Sequence, residues 1–157
     1  MEQLREFYAK TSKKSFLTMA TCVLVACDVL VLSYIYIKFN NYAFFEKTVS
    51  MSLALNGLTI EHVGPEFIEH LYKLFYKTLV ISIGLAALYH VINYVCWWKG
   101  KKFAATYIKM LACIGGPLMI LWGFGQLNSG SNFGLIFILF GVSLLALYPG
   151  LKQHFSD

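Results

Sequence analysis

From Thr78 to Trp98 the chain carries no ionisable side chain other than phenols, one thiol and a single imidazole, that of His90. About twenty apolar residues in succession are what a bilayer core of roughly 30 Å asks of a helix. The run is therefore expected to span a membrane. Its helix is read as starting earlier, at Gly64-Pro65. Pro65 fits the first turn, where a missing N–H costs nothing, and Glu66 and Glu69 face the positive end of the helix dipole. At the other end Trp97-Trp98 is followed by Lys99, Lys101 and Lys102. The rest of the chain is read around this helix.

Three further apolar runs accompany it, and together the four consume most of the 157 residues. A chain that is 58% hydrophobic and 13% charged lies outside the range of soluble domains, in which about a quarter of residues are charged. The expectation is an all-α integral membrane protein, a single domain over residues 1–157. Its four transmembrane helices fall at about 15–37, 72–98, 103–127 and 133–148. The net charge of +5 does not point to nucleic acid, because the basic residues sit beside the apolar runs, where they set topology. Arg5, Lys10, Lys13 and Lys14 precede the first run, the Lys99–Lys102 cluster separates the second from the third, and Lys152 follows the fourth. The positive-inside rule then places both termini in the cytoplasm, in an inner or plasma membrane. The first run is too long for a signal-peptide core and lacks a small-x-small exit, so no cleavable leader is expected.

Smaller features refine the four spans. Leu4, Phe7 and Tyr8 are spaced to rest one short helical face on the membrane surface. Tyr34, Tyr36 and Lys38, like Trp97 and Trp98, read as interfacial anchors. Gly115-Gly116-Pro117 should kink the third helix, and Pro149-Gly150 should stop the fourth. Gly134 and Gly141, seven residues apart, mark a packing face.

The outer loop, residues 38–63, alternates apolar and polar residues from Val49 to Ile60 around Asn56-Gly57, the dipeptide favoured in two-residue hairpin turns. An extracytoplasmic β-hairpin is expected over about 48–62. Met51, Leu53, Leu55, Leu58 and Ile60 would then form one apolar face, and Asn56 and Gly57 the turn. Such a face would need a cover: the bundle, the interface or another subunit. The competing reading of the same residues is a short interfacial helix. Four spans with a sheet-forming first outer loop and a very short second one resemble the layout of claudin-like proteins. The tryptophan and paired cysteines of that family's loop are absent here, and no residue role carries over.

Chemistry is expected where ionisable groups lie inside the spans, because an unpaired charge there costs several kcal/mol. Asp28 and His90 lie roughly 20 Å and 12 Å from the inner ends of their helices, and side chains lean toward their own N-termini, so the two can meet. Ser82, Ala86, Tyr89, His90, Asn93 and Trp97 form a small-and-polar face of the second span, with Leu88, Val91 and Val95 turned to lipid. Asp28, His90, Asn93 and Ser82 are thus the candidate pathway or polar pair, either a proton-sensitive gate or a structural lock between helices. Lys109 is expected to snorkel to the inner surface, where with Lys101 and Lys102 it would line an inner vestibule or meet lipid headgroups.

The four cysteines all lie in spans without a CxxC pair, and read as buried free thiols rather than disulfides or zinc ligands. His70 with Glu66 and Glu69 reads as a solvated helical turn. No metal, cofactor or enzymatic motif is expected. Two functions fit. One is a homo-oligomer that forms or gates a conduction pathway for an ion or small solute. The other is a non-conducting adaptor, assembly factor or immunity-type protein that meets another membrane protein through the outer loop.

Overall fold

The computed structural model describes residues 2–155, and within them the chain is helical apart from short turns, with no strand. The elements are α1 (Glu2–Lys10), α2 (Lys13–Phe39), α3 (Tyr42–Ala54), α4 (Ile60–Val63), α5 (Pro65–Trp98), α6 (Lys102–Met110), a π-helical segment (Leu111–Gly115), α7 (Gly116–Asn128) and α8 (Phe133–His154). Four stretches are long and apolar enough to cross a membrane: α2, α5, Lys102–Asn128 and α8. The protein is a helical membrane protein. Its chain divides into two compact units, one built from the chain up to Asp28 together with the chain from His90 onward, the other from Val29–Tyr89.

In the first unit α7 and α8 make the most extensive contact. Gly116 lies against the Gly141 carbonyl, and Gly123 against that of Gly134. A Cβ on Gly123 would stand 2.6 Å from that oxygen, and one on Gly141 would stand 2.7 Å from the carbonyl oxygen of Gly116. The two spacings of seven residues run in opposite directions, so two antiparallel helices touch backbone to backbone at two levels. Without a hydrophobic drive between helices in lipid, such van der Waals contact is a main source of association. The π-helical segment leads directly into Gly116-Pro117. A widened turn there accommodates a proline that lacks its N–H and whose ring crowds the carbonyl four residues back.

The fourth span does not stop at Pro149-Gly150: α8 runs on to His154. Gly150 admits the ring of Phe16, leaving no room for a side chain, and Leu151 is fully buried. Lys109 holds the end of the helix by donating from Nζ to the Phe155 carbonyl at 2.6 Å. These contacts outweigh the one backbone bond that Pro149 removes. Phe16 also stacks on His154 and meets Tyr8 edge-on.

Tyr8, expected at the membrane surface, is instead in this core, its hydroxyl donating to the Ala146 carbonyl at 2.8 Å. Burial pushes its phenol above the ordinary range. Phe7 stays exposed on the same helix. Trp97, read as an anchor, is fully buried, against Phe155. Trp98 is outside and donates to Thr21 Oγ1 at 2.8 Å. The four cysteines are free, but only Cys27 is buried, while Cys22 and Cys113 face outward.

The second unit holds the correction to the outer loop. Residues 42–54 are helical, so the expected hairpin is replaced by the competing helix. Asn41 caps α3, its side chain accepting from the Phe44 N–H at 3.0 Å. Gly57 does take positive φ, at 69°, but Asn56 does not, and a type I′ turn needs both. The Leu58 N–H reaches the Leu53 carbonyl and the Gly57 N–H that of Ala54, the paired bonds by which a left-handed glycine ends a helix. Phe45 anchors α3 on Tyr72 and Phe75 of α5, with ring centroids 5.3 and 5.2 Å away. With the sheet-forming loop gone, the likeness to a claudin-like layout loses its basis.

Candidate functional site

His90 and Tyr94 lie four residues apart on α5 and so share a face. Asp28 of α2 stands opposite them. Its Oδ1 is 2.8 Å from His90 Nδ1, and its Oδ2 accepts from the Tyr94 hydroxyl at 2.5 Å. The longer separation of 3.4 Å between His90 Nδ1 and the Tyr94 hydroxyl fits both donors being spent on the carboxylate. Tyr107 of α6 closes the remaining side, its ring edge-on to His90 with centroids 5.9 Å apart. Both carboxylate oxygens are thus occupied within the apolar span, which removes most of the penalty of placing the group there.

The site is nearly but not wholly sealed. Tyr94 and Asn93 are each 5% exposed, whereas the side chains of His90 and Asp28 keep 25% and 17%. Alongside runs an apolar groove of about 410 Å³, lined by Val25, Val91, Tyr94, Val95 and Trp98 among others. Chemically, the arrangement is a short hydrogen-bonded chain, phenol to carboxylate to imidazole. It fastens α2 to α5 and can hold or share a proton among three groups.

Of the residues expected here, Asp28 and His90 are brought together, and Asn93 is buried on the same stretch of α5. Ser82 is not part of the cluster: it lies in the other unit and is exposed. Tyr94 is the member that the sequence reading missed. The signal was its spacing of four from His90, masked because phenols are frequent in apolar spans.

The basic residues separate as well. Lys109 is half-buried and tied to Phe155, its Nζ donating to the carbonyl at the end of α8. Lys101 is exposed at the N-cap of α6, and Lys102 opens that helix. On the outer loop Met51, Leu55 and Leu58 are exposed, Leu55 at 89%, and Leu53 and Ile60 are half-buried. They share no common strand face, because helical geometry distributes them around α3 and the turn after it. Asn56 Nδ2 donates to the Ser52 carbonyl. His62 is engaged by Thr59 in the cap of α4, and Glu69 pairs with Lys73. Among the described residues no three histidine, cysteine or acidic side chains gather as metal ligands would. Comparison with family models, with curated proteins and with solved structures finds no match to this chain.

Proposed function

We propose that this chain is a non-conducting partner of another membrane protein, an adaptor or assembly factor. Its Asp28–His90–Tyr94 cluster serves as a fastener, and the end of α3 is the surface offered outward. The observation that carries this reading is the double occupancy of the Asp28 carboxylate by His90 and Tyr94. A carboxylate that serves a permeant ion needs an oxygen to spare, whereas one spent on two donors within the protein locks helices together. The outward surface is argued from Leu55 and Met51, 89% and 63% exposed at the end of a helix too short to span.

The test joins a flux assay to site-specific crosslinking. Reconstituted vesicles should pass protons and small cations no faster than empty ones. A photo-crosslinking residue at Leu55 should trap one discrete protein adduct in native membranes, and the same residue at Leu85, exposed within the α5 span, should trap none. Flux that disappears in Asp28→Asn, with no adduct at Leu55, would overturn the proposal.

A second reading, a homo-oligomeric conduction pathway, is favoured by the exposure that His90 and Asp28 retain. It requires flux from the wild-type protein and an oligomer in mild detergent.

A further inference from the structure

Away from the Asp28 cluster, four element ends of the first unit converge on one cleft: the start of α2, the turn after α5, the N-terminal half of α6 and the end of α8. The cleft has a volume of about 280 Å³ and is lined by Lys13, Lys102 and Lys109 with Thr106, His154 and the backbone of the Gly100 turn. Among the described residues no acidic side chain lines it. Lys101 gives α6 no side-chain cap, so the positive end of a nine-residue helix opens beside the three ammonium groups. His154 adds a ring nitrogen, Nε2, that is buried without a hydrogen-bond partner among the described residues. Lys13 and Lys109 are already positioned, the first with Nζ 4.6 Å over the Phe155 ring and the second on the Phe155 carbonyl.

We propose that this cleft binds the phosphate of an anionic phospholipid. Three converging ammonium groups, a helix N-terminus and a hydroxyl are a donor set for phosphate oxygens. Its place argues for a lipid over a free ion. α2 begins, α5 ends and α8 ends around it, and all three are long and apolar enough to span, so the cleft lies at the depth where spanning helices meet headgroups. Beside it the exposed Phe103 of α6 offers a surface for acyl chains.

The full chain in a neutral detergent is titrated with phosphatidylglycerol and, separately, phosphatidylcholine, and bound lipid is counted by native mass spectrometry. One phosphatidylglycerol per chain should be held in preference to phosphatidylcholine. Lys13 and Lys102 are both exposed, so the double variant Lys13→Gln/Lys102→Gln should fold normally. It should weaken phosphatidylglycerol binding about 25-fold, about five-fold for each lysine. The charge-matched variant Lys47→Gln/Lys77→Gln, in the other unit, should leave binding unchanged. Equal losses in the two variants, or no preference in the wild type, would overturn the site. Displacement of the lipid by millimolar inorganic phosphate would overturn the lipid as its ligand and assign the cleft to free phosphate.

Discussion

Asp28 depends on two donors, and that dependence sets what single substitutions cost. Tyr94→Phe removes one donor without changing shape. Interhelical hydrogen bonds in membrane proteins average about 0.6 kcal/mol, but bonds to charged groups reach about 1.5–3. A loss of about 1–2 kcal/mol is expected, read from unfolding in detergent. Asp28→Asn and His90→Gln should each cost more than expected from the double variant, with a coupling of about 0.5–2 kcal/mol. Strict additivity would show that the 2.8 Å approach contributes nothing to stability. Asp28 and His90 were legible in the sequence because an ionisable group in an apolar run demands an explanation. Tyr94 was not, because its phenol becomes informative only once a carboxylate is known to face it.

Between elements, glycine decides both where helices end and how near they come. At Gly57, with φ at 69° and nothing within 4 Å of where a Cβ would stand, the cost of a side chain is purely that of the backbone. Gly57→Ala should therefore destabilise the end of α3 by about 1–2 kcal/mol. Circular dichroism should show lost helix and no gain of sheet, whereas a β signal in either protein would restore the hairpin. At the α7–α8 contact the cost is steric. Gly123→Ala forces its methyl into the Gly134 carbonyl and should cost about 1–3 kcal/mol. Gly125→Ala, two residues on and open to its surroundings, should be neutral or slightly stabilising, since alanine is the better helix former by about 1 kcal/mol. Similar losses at both positions would show that the close approach is unimportant. The glycines of both helices could be read from the sequence as sites of close contact, but which of them face one another could not.

For the whole molecule, the positive-inside rule makes a topological prediction: cysteines placed at Asn56 and Ser129 should label only from outside, and one at Gly100 only from inside. Labelling of position 100 from outside would reverse the arrangement. A second prediction concerns the docking of α1 through Tyr8. Tyr8→Phe should cost about 1 kcal/mol, the net worth of a neutral hydrogen bond. Because burial raises this phenol above its unfolded value, its contribution is fully present below about pH 10 and is lost as pH rises through the folded value. The stability gap between wild type and variant, measured by thermal unfolding from pH 8 upward, should therefore close in alkali. A gap that stays constant to high pH would show that the hydroxyl bond is not its source.

The sequence by itself determined the four spans and one polar meeting point, since both follow from the cost of placing backbone and charge in hydrocarbon, which local composition reports. Tertiary structure decided what depended on distant partners. From Val49 the chain alternates as a strand does, yet residues 42–54 are a helix because Asn41 caps it and Phe45 finds Tyr72 and Phe75. Pro149-Gly150 carries the marks of a helix end, yet α8 continues because Phe16 fills the space over Gly150 and Lys109 reaches the Phe155 carbonyl. Lys109 and Trp97 look like exposed side chains beside an apolar run, yet Phe155 at the end of α8 engages both. In each case the local preference is worth about 1–3 kcal/mol, and contacts made across the chain exceed it.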